Sequence, residues 1–345
     1  MNYRKQDRGG NLFAALQHQK EVGKREIGIL KLHNWIDWEA FRPVLSEVTG
    51  HATKDWSKGG RPPFDPVFMF KVLVLQKYHN LSDEATELQI NDRISFLTFL
   101  GLRLGDEIPD QNTIWDFKEL IEQNGRDGSR KLFFFFQEML ESKGLVAKEG
   151  SIVDASFIDA PRQRNSREEN EQIKAGKRPE GFETHRSKGK QKDCDARWTK
   201  KNQETHFGYK NHVKVDAKSK LIVNHITTPA SVHDSQVFKQ LVDATDKRVL
   251  ADSAYISEEH EAYLLECDAE EFLMRKGHRG KPLSAAEKKS NHLISKIRVR
   301  VEHVFARMKH MGADFVRSIG LKRASQHNAL SNLVYNMDRY AMLAK

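Results

Sequence analysis

Three carboxylates in this chain occupy positions that a purely structural role explains poorly. Asp154 interrupts an apolar strand pattern, Ile152-Val153-Asp154-Ala155, and Asp252 ends a second one, Val249-Leu250-Ala251-Asp252. Glu302 follows Val301 on a helical apolar stripe, about 100° around from it and so at the edge of the inward face. An ionised carboxylate in such a place is costly unless it is paired or metal-bound. Acids at a strand centre, a strand end and an inward helix edge suit a Mg²⁺ site for phosphoryl transfer. Hard cations take oxygen ligands, and rigid elements are needed to hold two ions ~3.5–4 Å apart. Each acid alone has a plainer reading as a cap or an ion-pair member, and Asp252 also suits a strand-end Asx turn.

Cations accompany the third acid. Arg298, Glu302 and Lys309 lie at offsets 0, 4 and 11, and eleven residues are close to three helical turns, so all three share a face. Cations beside a metal carboxylate suit a phosphate backbone delivered to the metals. Arg298 and Glu302 also read as an i,i+4 ion pair on a solvated helix. Lys309 has no acid at 305 or 306, which favours a phosphate contact. His206, Lys210 and His212 alternate on one strand face and read equally as DNA contacts or as solvated edge residues. Asp234 reads as a cap for the helix that follows it.

These residues need elements to position them. Up to about Gly144 the pattern is helical, with Phe68, Val72 and Leu75 on one face and prolines as punctuation. Asp110 is the expected N-cap of a short helix presenting Gln111, Asn112, Trp115 and Lys118, in a region that suits a helix-turn-helix-like DNA-binding domain. From Ser151 the pattern changes to strands: SIVDASFI, HFGYKNHVKVD and KLIVNHIT, with Ala217 to Lys220 as the turn between the last two, then RVLAD and EEFLM. Helical patterns separate them at Ser235–Ala244 and Glu258–Glu266, which indicates a mixed α/β sheet. The segment Pro161–Gln203, polar and poor in apolar residues, reads as a long mobile insertion. A long helix is expected from about Ser284 to His310, opened by the capping box Ser284-Ala-Ala-Glu287. Its stripe of Ile294, Ile297, Val301, Val304 and Met308 should face a core. A last helix is expected over Gln326–Leu343.

The 345 residues suit two or three domains. No apolar run approaches the ~18–20 residues a membrane span needs. Cys194 and Cys267 alone make neither a disulfide framework nor a zinc cluster, so a reducing cytosol is the default. The net charge is +9, but 14 Lys+Arg against 3 acids between Arg275 and Arg323 give that stretch +11. Pro161–Lys210 carries 14 basic and 8 acidic residues, or +6, and the remainder is net acidic. Basicity concentrated in this way is the footprint of a polyanion, nucleic acid first; as a lone signal it equally describes a solvated helical face.

Taken together, VDASFIDAP around Asp154, HFGYKNH at 206–212, TPASVHDSQ at 228–236, LADSAY around Asp252 and R-x(3)-E-x(6)-K at Arg298, Glu302 and Lys309 resemble insertion-sequence transposases of the DDE class. Within the IS4/IS5 superfamily the likeness is greatest to the IS5 branch. RPPFDPVFMFKVLVLQKYHNLSDEA and PDQNTIWDF resemble the helical domain that precedes the catalytic core in these enzymes. One departure is Ser295, where the family signature has Tyr three residues before the Arg.

The resemblance implies an α/β fold: an RNase H-like mixed-sheet catalytic core (146–323, with a mobile basic insertion at 161–205) behind an N-terminal arm (1–60) and a helical, helix-turn-helix-like DNA-binding domain (61–145), and closed by a C-terminal helix (324–345). The 49 residues between Asp252 and Glu302 leave no room for a large β-rich insertion found in some relatives. Asp154, Asp252 and Glu302 would be catalytic metal ligands for two Mg²⁺ ions per active site, with Mn²⁺ substituting. Arg298, Lys309, His212, Lys210, Gln111, Asn112 and Lys118 would be DNA contacts. The implied activity is cleavage at terminal inverted repeats and joining of 3′-OH ends to target DNA by a homodimer or larger synaptic complex. The implied setting is the bacterial cytoplasm and nucleoid, with no membrane partner. A non-catalytic DNA-binding regulator and a simple RNase H-like nuclease are the alternatives.

Overall fold

The computed structural model describes residues 13–25, 28–50, 62–184, 186–201 and 203–344; of the expected N-terminal arm, 1–12, 26–27 and 51–60 lie outside them. The chain divides into two compact units, Met1–Arg126 (with the last two residues) and Asp127–Leu343. In the first unit every element among the described residues is helical. Asp65 opens the Pro66–Tyr78 helix by accepting from the Val67 and Phe68 amides at 2.8 and 3.1 Å. Asp110 opens the Gln111–Glu122 helix through the Thr113 amide at 2.7 Å. Such caps satisfy amides that have no partner inside the helix. The apolar faces meet around Phe41, Phe70 and Phe99, all buried.

Among the described residues the second unit holds a six-stranded mixed sheet of β1 (Ser151–Asp159), β2 (Arg197–Lys201), β3 (Glu204–Asp216), β4 (Ile222–Pro229), β5 (Arg248–Ala251) and β6 (Glu270–Leu273). β1 runs antiparallel to β3, which pairs antiparallel with β2 along its first part and with β4 along the rest. On the other side of β1, β5 and β6 run parallel to it. The mixed α/β sheet expected from the alternation of patterns is therefore present. The Ala217–Lys220 turn forms because Asp216 accepts from the Lys218 and Ser219 amides at 3.2 and 2.7 Å while Lys220 takes a left-handed φ of 63°. Gly208, at φ 152°, lies where β1 and β3 cross closely; a Cβ there would sit 2.2 Å from the Ile158 carbonyl oxygen.

The long helix runs Ala285–His310, with the Ser284/Glu287 capping box formed, and packs on β1, β5 and β6. Ile294, Val301, Val304 and Met308 are buried, but Ile297 is 37% exposed and leaves the expected stripe. The last helix starts earlier than expected, at Leu321. Asn328, Asn332 and Asn336, one turn apart along its buried face, bond Thr227, Asn211 and the Ile222 backbone and so dock it on β3 and β4.

Three expectations need correction. The unit boundary falls at Arg126/Asp127 and not at 145/146, because Phe133 and Phe136 of the Gly128–Ser142 helix are buried against His225 and Tyr340, with ring centroids 4.6 and 6.1 Å away. The helix expected over Ser235–Ala244 shrinks to a 3-10 turn, Asp234–Val237, and one helical turn, Phe238–Leu241. The 161–203 segment also has more structure than its composition suggests. It forms helices Arg167–Lys174, Glu180–Thr184 and Arg186–Lys190, then β2 paired to β3. Ile173, Phe182 and Ala196 bury its few apolar side chains. The 4%-exposed Asp193 accepts from the Tyr209 hydroxyl at 2.8 Å and the Gly320 amide at 3.1 Å.

Candidate active site

Asp154 lies on β1 just beyond the residues that pair with β5, Ser151 and Ile152. On that side the neighbouring strand has already ended at Ala251, and Asp252 begins the turn after it. Asp154, mid-way along β1, and Asp252, just past the carboxyl end of β5, are thus brought to the same side of the sheet beyond the short β1–β5 pairing. Asp252 accepts from the Ala254 amide at 2.9 Å, so the Asx-turn reading of this residue is realised. Its charge still acts on Asp154. The Asp154 side chain is 17% exposed; Oδ1 accepts from the Ala155 amide and Oδ2 from Arg298 Nη2, both at 2.8 Å. Burial raises the Asp154 carboxyl above its usual range, Arg298 opposes this, and Asp252 adds to it.

Tyr255, of LADSAY, completes the neighbourhood. It is wholly buried and its hydroxyl makes no hydrogen bond among the described residues. Burial first, then the charges of Asp234, Asp154 and Asp252, push that hydroxyl far up from its ordinary value. Sequence reasoning does not single out Tyr255 and reads Asp234 as a cap; the signal available is their presence in the quoted motifs. Asp234 in fact accepts from Lys210 Nζ at 2.8 Å and lies 3.8 Å from His212 Nδ1.

Several expected DNA contacts are elsewhere engaged. His212 is buried at 0% exposure with Nε2 2.8 Å from Thr228 Oγ1, and burial lowers its pKa to about 4, which favours the neutral imidazole. Lys210 is buried too, donating to Asp234 and to the Val232 carbonyl, each at 2.8 Å. Lys118 is ion-paired with Asp83. Lys309 is 75% exposed and, contrary to expectation, has an acid within reach, Asp314 at 3.6 Å. Gln111 and Asn112 are exposed at the start of their helix. Arg298 pairs with Asp154, not with Glu302 one turn along its own helix.

Glu302 is exposed, because Val301 and Val304 take the inward positions on either side of it. Among the described residues no three His, Cys, Asp or Glu side chains converge as a ready-made metal site. The donors that do meet still suit a hard cation. Asp154 and Asp252 offer oxygen only, and beside them the buried Tyr255 hydroxyl oxygen has no hydrogen-bond partner among the described residues.

A family model described as "Transposase DDE domain" matches residues 147–337, more than half the chain. The chain belongs to the DDE transposase family. A second model, "Transposase domain (DUF772)", matches residues 20–120 of this transposase. Among solved structures, a piggyBac transposase synaptic complex with hairpin DNA, determined by cryo-EM, is similar at 9% identity and a TM-score of 0.46, over 96% of the transposase chain and 76% of the other. A likeness of that size decides nothing about the site. No helix among the described residues is long and apolar enough to cross a membrane.

Proposed function

We propose that this transposase cleaves DNA at the terminal inverted repeats of an insertion sequence and joins the freed 3′-OH ends to target DNA by metal-dependent phosphoryl transfer on an RNase H-like core. The observation that carries this reading is the buried Asp154 on β1, 2.8 Å from Arg298 of the long helix, with Asp252 at the end of the neighbouring β5. Asp154 and Asp252, with Glu302 from the long helix, would hold Mg²⁺ or Mn²⁺, in two sites per catalytic centre. When bound, such ions activate water or a 3′ hydroxyl and stabilise the leaving 3′ oxygen. The chain's own cations do the positioning. Arg298 lies against Asp154 and exposed Lys309 lies farther along the same helix; both suit phosphate oxygens. The exposed Gln111 and Asn112 are offered as contacts of the helical unit to the repeat. Joining two ends in one event needs a homodimer or larger assembly. We read the motif order as closest to the IS5 branch of bacterial elements, acting on DNA of the cytoplasmic nucleoid.

The test supplies a repeat-end duplex carrying a free 3′-OH, a target plasmid and Mg²⁺, and compares wild type with Asp154→Asn, Asp252→Asn and Glu302→Gln. Loss of a metal ligand removes several kcal/mol of transition-state stabilisation, so cleavage and joining should both fall at least ~100-fold while DNA binding is retained. Near-wild-type cleavage by a variant would remove that residue from the site. Cleavage by the wild type without strand joining would favour a simple nuclease.

A further inference from the structure

Arg298 is held in an arrangement that leaves most of its hydrogen-bonding capacity unused. A guanidinium has five N–H donors in a fixed fork. Here Nη2 donates to Asp154 Oδ2 at 2.8 Å, Nη1 faces the Met274 sulfur at 3.2 Å, and buried Nε makes no hydrogen bond. A thioether is a weak acceptor, so among the described residues one carboxylate oxygen is the single strong partner of a side chain only 17% exposed. The fork is built for two oxygens at once, as carboxylate and phosphate offer them, and neither Asp252 nor Glu302 supplies the second. Asp154 in turn has Arg298 as its ion-pair partner, with the charge of Asp252 nearby.

We propose that Arg298 is an internal stand-in cation. It neutralises Asp154 while no divalent ion is bound, and it is exchanged for the ion when DNA phosphate arrives beside Asp154 and takes the guanidinium. The inference rests on the reading of Asp154 as a metal ligand and adds a positioning residue that couples metal loading to DNA. Two consequences follow from the competition for one carboxylate. Arg298 weakens metal binding when DNA is absent, and DNA strengthens it by drawing Arg298 away. Because the coupling is a free energy shared by both ligands, metal must strengthen DNA binding by the same factor. A purely structural Arg–Asp pair produces neither effect.

The test measures Mn²⁺ binding to the full chain by calorimetry and by the Mn²⁺-dependent shift in melting temperature, with and without a repeat-end duplex. Arg298→Gln should melt lower than wild type without metal, yet bind Mn²⁺ at least tenfold more tightly. A duplex should tighten Mn²⁺ binding to wild type several-fold and to Arg298→Gln little or not at all. Equal or weaker Mn²⁺ binding by Arg298→Gln, or the same tightening by duplex in both proteins, overturns the exchange. Asp154→Asn separates this failure from that of the underlying reading. If wild type and Asp154→Asn bind Mn²⁺ alike, Asp154 is no ligand and both ideas fall. If Asp154→Asn abolishes binding but Arg298→Gln leaves it unchanged, the exchange alone falls. Should Arg298→Gln not fold, Arg298→Met fills the same space without the charge. It should bind Mn²⁺ more tightly than wild type and respond less to duplex; wild-type behaviour on both counts overturns the proposal.

Discussion

Tyr255 shows at the scale of one residue how a site differs from a core. Its ring is packed like any buried aromatic, against Phe238 at 5.7 Å between centroids, but among the described residues its hydroxyl has no hydrogen-bond partner and meets the fields of three carboxylates. A buried hydroxyl left unbonded costs about 1–3 kcal/mol. Tyr255→Phe should therefore raise the metal-free unfolding free energy by about 1 kcal/mol in urea titrations. A drop in stability instead would mean that the hydroxyl is bonded in solution. Asp154 and Asp252 are legible in the sequence because a carboxylate inside or at the end of an apolar strand run breaks a period-2 pattern. Tyr255 is not, since an aromatic beside a strand end is ordinary core material. Sequence alternation places Lys210 and His212 on one strand face but does not show that this face is covered, because alternation tells which face a residue shares and not what packs on it.

At the scale of elements, the 161–203 segment depends on one buried acid. Asp193 accepts from the Ala196 amide at 2.9 Å, the Tyr209 hydroxyl at 2.8 Å and the Gly320 amide at 3.1 Å, tying the segment to β3 and to the start of the last helix. Replacing it by Ala leaves these donors without an acceptor, at about 1–3 kcal/mol for a bond to a charged group. Asp193→Ala should make residues 161–200 the first site of limited proteolysis, at a protease concentration that wild type resists. Equal resistance would show that β2 pairing alone holds the segment. Composition could not reveal this anchor, because Asp193 and Tyr209 are brought together only by the fold. The long helix is legible from end to end, since its capping box and its 3,4 apolar spacing are local. The Asn328–Asn332–Asn336 face of the last helix is not: three amides one turn apart read as polar surface until β3 and β4 supply partners.

Over the whole molecule, charge is distributed more unevenly than its total suggests. The +11 between Arg275 and Arg323 exceeds the chain's net +9, and this stretch falls entirely in the second unit. Lys288, Lys289 and Lys296 are exposed on the long helix. If that helix tracks phosphates, replacing all three by Ala should weaken binding to every DNA sequence alike. The slope of log affinity against log salt should become shallower by about 0.9 for each phosphate that is no longer neutralised, or up to about 3 in all. An unchanged slope would make this face merely solvated.

What the sequence determined by itself is what neighbours along the chain decide: the strand and helix periods, the Asp216–Lys220 turn, the Ser284 cap, and two acids in apolar strand runs. Its motif order also pointed to the family that residues 147–337 match. Tertiary structure alone chose the partners. On helical spacing Arg298 belongs with Glu302, four residues on, yet it reaches Asp154, 144 residues away in the chain. The reason is electrostatic. Glu302 is exposed and solvated by water, so an ion pair there is worth little, whereas Asp154 is desolvated beside a second carboxylate and needs a cation. Which carboxylate is buried depends on where β5 ends beside β1, and no local pattern encodes that.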